Sequence, residues 1–117
     1  MKVLLVDDEI KFVSTLAQRL TMRDIEADWV ASPEEALSRV LKQSYDVAVL
    51  DVKMPHIGGI DLKKKLQKLA PDMKYIFITG HGSEEDYEIS RKEVQFYIVK
   101  PFKIDVLVEK IQEISSM

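Results

Sequence analysis

The chain contains no cysteine, which excludes both a disulfide framework and a thiolate metal site. Glycine is scarce, 4 residues in 117, and neither G-x-G-x-x-G nor G-x-x-x-x-G-K-S/T occurs, which counts against a nucleotide-binding domain. The 2 histidines, His56 and His81, have no partner at ligand spacing and do not read as a zinc pair. Excess positive charge is lacking too. A net charge of −3 and a pI of about 5.4 argue against this domain gripping nucleic acid. No apolar run approaches the ~20 residues of a membrane span, and Met1-Lys2 leads straight into an apolar run with no secretory signal. A cytoplasmic location is the expectation, and the absence of cysteine fits a reducing compartment.

What remains is an ordinary globular composition, 46% hydrophobic and 32% charged. The length suits one domain, residues 1–117, with a core that needs no staples. Apolar β-rich runs alternate with helical periodicity five times along the chain. That is the pattern of a doubly wound α/β domain, a five-stranded parallel sheet covered on both faces, (βα)5. The first helix is predicted over Ile10–Met22, with Val13, Leu16, Ala17 and Leu20 on one stripe. A second strand over Ala27–Val30 carries Trp29 as a packing residue. Ser32-Pro33-Glu34-Glu35 then starts a helix with Ser32 as N-cap and Pro33 at the first helical position. That helix turns Ala36, Leu37, Val40 and Leu41 inward. The third helix aligns Leu62, Leu66 and Leu69, leaving Lys63, Lys64, Lys65 and Lys68 as a solvated face. A fourth helix is expected within Ser83–Lys92, and the last, over Ile104–Ile114, buries Ile104, Leu107, Val108, Ile111 and Ile114.

Four of these strands end on a polar residue. Asp7-Asp8 follows Val3–Val6, Asp51 follows Val47–Leu50, Thr79 follows Tyr75–Ile78, and Lys100 follows Phe96–Val99. In an open parallel sheet that carboxyl-terminal edge is where ligands bind. Asp8 and Asp51 can supply oxygen ligands to Mg²⁺, Asp7 a direct or water-mediated one, and a loop carbonyl another. Ionised together, the three carboxylates repel, which raises at least one pKa; a divalent cation relieves that repulsion. Asp51, alone on its strand, is placed to attack phosphorus and carry an acyl phosphate, while Lys100 and Thr79 bind the other oxygens. Taken singly, each residue has a plainer role: Asp7-Asp8-Glu9 can cap the next helix, Asp51 and Thr79 can begin turns, and Lys100 can sit in solvent. The combination at one edge, in this order, favours the cation and phosphoryl site.

On these residues the chain resembles, from end to end, the CheY-like receiver (REC) domain of two-component response regulators. Leu5-Val6-Asp7-Asp8-Glu9 matches that family's acidic pair, and Asp51-Val52-Lys53-Met54-Pro55 with Gly58-Gly59 its phosphoacceptor loop. Thr79-Gly80-His81-Gly82 matches the switch hydroxyl, and Lys100-Pro101-Phe102 the lysine and its proline. The resemblance implies strand order 2-1-3-4-5, a Lys100-Pro101 cis peptide, and Mg²⁺, or Mn²⁺ in its place, held by Asp7, Asp8, Asp51 and the Lys53 carbonyl. It implies a sensor histidine kinase or phosphotransfer protein as donor to Asp51. Tyr97 matches the aromatic switch that follows Thr79. Together they change the face built by the fourth helix, fifth strand and last helix, which meets an output partner, an effector domain or a second copy. The implied protein is a switch with autocatalytic phosphorylation and slow autodephosphorylation rather than a conventional enzyme.

Two features depart from that pattern or compete with it. Between Thr79 and Lys100 the sequence Glu88–Gln95 has no glycine and is about one residue short of the family's usual length, which predicts a short or mobile fourth helix. Phosphohydrolases with an aspartate nucleophile usually carry an acid two residues later; here that position is Lys53. Like His81, it can overhang the site or stand in solvent. A scaffold without phosphorylation is disfavoured because no site position is substituted.

Overall fold

The computed structural model describes residues 1–54, 56–80 and 96–117. In chain order these form β1 (Lys2–Val6), α1 (Ile10–Thr21), β2 (Glu26–Val30), α2 (Pro33–Lys42), β3 (Val47–Asp51), α3 (Gly59–Leu69), β4 (Lys74–Thr79), β5 (Phe96–Val99) and α4 (Ile104–Ser115). The helix expected within 83–92, its length and its mobility all lie outside the described residues, so the last helix is labelled α4. All strand pairs are parallel, in the order β2-β1-β3-β4-β5 implied by the resemblance.

Side chains alternate across a strand, and here they divide into two cores. Val3, Leu5, Val47, Val49, Ile76, Ile78 and Ile98 face α1 and α4, where they meet Val13, Leu16, Leu20, Leu107 and Ile111. Leu4, Val6, Ala48, Leu50, Tyr75 and Phe77 face the other way, onto Ala36 of α2 and Leu62 and Leu66 of α3. Strands buried on both faces must be apolar throughout, so polar residues are confined to the strand ends. Asp46 aligns those ends from below. Its Oδ2 accepts from the Lys2 N–H at 2.7 Å, its own N–H donates to the Lys2 carbonyl at 2.8 Å, and its carbonyl accepts from Lys74 at 3.0 Å. With three strand starts tied to one residue, the carboxyl ends come out level.

Local signals act largely as expected. Ser32 Oγ accepts from the Glu35 N–H at 3.2 Å, and the Glu35 carboxylate reaches back to the Ala31 N–H at 3.2 Å. Trp29 packs half-buried on the first core. Three expectations fail. Leu41 is 71% exposed, because the buried stripe of α2 is centred on Pro33 and Ala36, which leaves Leu41 beyond its margin. In α3 the buried face is Gly59, Leu62, Lys63 and Leu66, so Leu69 is 45% exposed and Lys63 only 8%. The Lys63 stem lies under the second core with its ammonium 5.9 Å from the Tyr75 ring centroid, a snorkelling cation rather than part of a solvated face.

Tyr75 itself is unusual. Its hydroxyl is buried with no hydrogen-bond partner among the described residues, and burial pushes its pKa up to about 12. An unpaired buried hydroxyl costs about 1–3 kcal/mol. Tyr75→Phe removes it and keeps the ring beneath Lys63, so thermal unfolding should shift upward by a few degrees, at roughly 4–8 °C per kcal/mol. A fall in melting temperature would mean that the hydroxyl is satisfied.

Candidate functional site

The register dictates what meets at the carboxyl edge. Val6 lies opposite Leu50 on β3, so Asp7 and Asp51 continue neighbouring strands. Asp51 is opposite Ile78, which precedes Thr79, and Thr79 is opposite Val99. The Lys100 N–H donates to the Thr79 carbonyl at 2.7 Å, extending that ladder by one residue. Asp7, Asp8 and Asp51 each offer an oxygen within 4.8 Å of the others. Asp7 and Asp51 are buried, and Asp8 faces solvent.

The helix-capping reading of the acidic run is partly realised. Asp7 Oδ1 accepts from the Glu9 N–H at 2.9 Å, closing the turn into α1, while Asp7 Oδ2 accepts from Lys100 Nζ at 2.9 Å. Each carboxylate oxygen can accept twice, so Asp7 keeps capacity for a cation or its water. Behind Asp51 the chain folds back tightly. The Lys53 N–H donates to Asp51 Oδ1 at 3.4 Å, the Val52 N–H to Ile78, and the Gly59 N–H to the Val52 carbonyl. A Cβ on Gly59 would fall 2.3 Å from the Asp51 carbonyl oxygen. Only glycine lets α3 start this close to the strand that carries Asp51. The Lys53 side chain is exposed, and His56 in the same loop has a φ of 72°.

The Lys100-Pro101 bond is cis, as the resemblance implies. Lys100, expected to bind phosphoryl oxygens, is held here by more than Asp7. Nζ also donates to Glu9 Oε1 at 2.9 Å and lies 4.3 Å from the Phe12 ring centroid. Phe102 packs edge-on against Phe12, centroids 6.1 Å apart at 88°. The sequence reading gave Glu9 only a helix-capping role within the acidic run and gave Phe12 none. The signal was their spacing, i and i+3 from the N-cap into the first turn of α1, beside the acidic pair. Tyr97 is elsewhere: it stands opposite Phe77 in mid-β5 and packs half-buried against the second core.

Charge follows this geometry. Burial, then the Asp7 charge, push Asp51 up to about 7 from 3.8, against the pull of Lys100 and the Lys53 N–H. Burial also raises Asp7, opposed by its hydrogen bonds from Glu9 and Lys100. For Lys100, burial acts against the ammonium, but hydrogen bonds to Asp7 and Glu9 outweigh it and the net shift is upward. An all-oxygen donor set whose own repulsion resists ionisation fits a hard divalent cation.

Fold and site together define a class, the doubly wound α/β domain with an acidic crevice at the carboxyl ends of its central strands. Within that class the chain belongs to the response regulator receiver domain family of two-component systems, whose sequence model matches residues 3–112. It is 32% identical over 112 residues to the two-component response regulator PhoP of Pseudomonas aeruginosa, covering 95% of this chain and 50% of that protein. It is 31% identical to the C4-dicarboxylate transport transcriptional regulatory protein DctD of Rhizobium meliloti, covering 92% of this chain and 24% of that one. The chain thus spans half the length, or less, of these curated relatives. Among solved structures, the CheY-like receiver domain protein of Methanospirillum hungatei superposes with a TM-score of 0.89 at 32% identity, covering 98% and 93% of the two chains. The response regulator TrrA of Thermotoga maritima, solved in complex with Mg²⁺-BeF, superposes with a TM-score of 0.83 at 32% identity, covering 96% of each.

The raised Asp51 pKa makes a stability prediction. Between about 3.8 and about 7 the folded state holds a proton that the unfolded state has released. Stability from this group is therefore complete below 3.8 and is lost as pH rises through about 7. In EDTA, Asp51→Asn should melt above wild type at pH 8, and the gap should shrink at pH 5. Equal gaps at both pH values in thermal scans would refute the upward shift of Asp51.

Proposed function

We propose that residues 1–117 form one receiver domain that takes a phosphoryl group onto Asp51 from a sensor histidine kinase or histidine phosphotransfer protein. The observation that carries this reading is the convergence of three carboxylates within 4.8 Å, with Lys100 bonded to one of them at 2.9 Å. The Mg²⁺-BeF complex of the TrrA relative supports it. A cytoplasmic location accords with a kinase partner.

Asp7, Asp8, Asp51 and the Lys53 carbonyl would hold Mg²⁺, or Mn²⁺ in its place. A bound cation supplies charge neutralisation at the carboxylates and the phosphoryl oxygens. The chain's own groups do the rest. An Asp51 carboxylate oxygen attacks phosphorus, forming a P–O bond as the P–N bond to the donor imidazole breaks and its electron pair leaves with the nitrogen. Lys100 donates to the phosphoryl oxygens from one side, and the Thr79 hydroxyl does so from the end of β4. Because transfer asks mainly for positioning and charge compensation, groups fixed on three adjacent strands suffice. The protein acts as a switch, with slow hydrolysis of its own acyl phosphate resetting it.

The output follows from a change at Thr79 and Tyr97. Tyr97, Val99, Pro101, Phe102 and Val106 line an open groove of about 590 Å³ over β5 and the start of α4. There Val99 is 45% and Val106 38% exposed. This surface, apolar but for Lys103 and Lys110, is the docking face for an output partner, an effector domain or a second receiver.

The test is intact mass after incubation with Mg²⁺ and acetyl phosphate, wild type beside Asp51→Asn. The expected result is a single base-labile phosphoryl adduct that needs Mg²⁺ and is missing from the variant. A wild type with no adduct, or an adduct that survives the substitution, would overturn the assignment of Asp51.

A further inference from the structure

Lys100 does not point its hydrogen bonds at Asp51. Among the described residues its ammonium donates to Asp7 and Glu9, both at 2.9 Å, and attracts Asp51 only through space. The Phe12 ring, 4.3 Å away, lies on the first turn of α1, which Glu9 precedes as the N-cap residue. An ammonium has only three donors, and two are committed on this side. A phosphoryl group on Asp51 would present three acceptor oxygens and about −1.5 to −2 charges. To serve them, Lys100 has to swing toward Asp51.

The two partners are not equivalent. The Asp7 side chain is 4% exposed, sits on a short stem and is fixed by the Glu9 N–H. Glu9 has one more methylene and a side chain 65% exposed, so water replaces its lost bond at little cost. Asp7 is the pivot, and Glu9 is the contact that releases. We propose that Glu9 is a positioning residue, a latch that holds Lys100 away from Asp51 in the resting state and so sets how readily the phosphorylated state forms. The inference rests on the phosphoacceptor reading above.

The experiment measures the affinity for beryllofluoride in Mg²⁺, with Mg²⁺ affinity alone as a control, for Glu9→Gln and Glu9→Asp. Each is made in wild type and in Lys100→Met. Glu9→Gln should bind beryllofluoride about two- to fivefold more tightly, the range an exposed ion pair allows. Glu9→Asp should behave as Glu9→Gln does, because a carboxylate one methylene shorter no longer reaches Lys100. In the Lys100→Met background neither change should matter. In metal-free protein, Glu9→Gln should also lower the NMR order parameter of the Lys100 side-chain terminus.

Three results would overturn the latch. One is a Glu9→Gln variant with wild-type affinity and Lys100 order. Another is the same gain in affinity with Lys100→Met. The third is a Glu9→Asp variant indistinguishable from wild type, since the last two mean that Glu9 acts through its field alone. A wild type that binds no beryllofluoride would overturn the phosphoacceptor reading and the latch together, whereas normal wild-type binding with an inert Glu9→Gln removes only the latch.

Discussion

Three carboxylates pressed together at the end of a buried sheet repel one another, and the rest of the site is arranged around that repulsion. Asp7 and Asp51 are 3% and 6% exposed, so water screens their charges poorly and each raises the cost of ionising the other. Lys100 is the counterweight that the chain itself supplies. It reaches Asp7 because β5 pairs with β4 and its backbone adds one more rung at Thr79. Its ammonium is then boxed in by Glu9 and the Phe12 ring. The compensation is incomplete: Lys100 pulls the Asp51 pKa down, yet burial first and the Asp7 charge second still raise it to about 7. A site of this kind responds strongly to any added charge, positive or negative, because little water screens it.

The fold keeps that strain in place from a distance. Parallel strands packed on both faces admit polar side chains only at their ends, and the Asp46 clamp at the opposite edge makes those ends level. Two separate cores, one under α1 and α4 and one under α2 and α3, hold the sheet from both sides. The glycine contact at the start of α3 brings that helix against the Asp51 backbone, where any larger residue would collide. Family membership accords with this economy. The relatives PhoP and DctD are longer than this chain, and the matches cover 95% and 92% of it.

Much of this was legible in the sequence, though unevenly. Element order and type followed from apolar runs and helical stripes, and the Ser32 cap from local chemistry. The acidic residues were legible as a group because each ended a strand. Leu41 and Leu69 were misplaced because periodicity shows that a helix has an apolar stripe but not where its buried face is centred. Lys63 was misplaced for the converse reason: its aliphatic stem packs like a hydrophobe, which a charge count hides. The contacts of Glu9 and Phe12 with Lys100 went unread because Lys100 is 91 residues away from Glu9 in sequence.

By itself, then, the sequence determined the alternation of strands and helices and the chemical character of each strand end, since both depend on local pattern and residue type. The resemblance extended this to strand order. Only the tertiary structure decided which carboxylate Lys100 engages, how far Asp51 is pushed from its ordinary pKa, and which helix residues lie inside. Those outcomes depend on distances between segments remote in sequence and on the water excluded between them, and neither quantity exists until the sheet has closed.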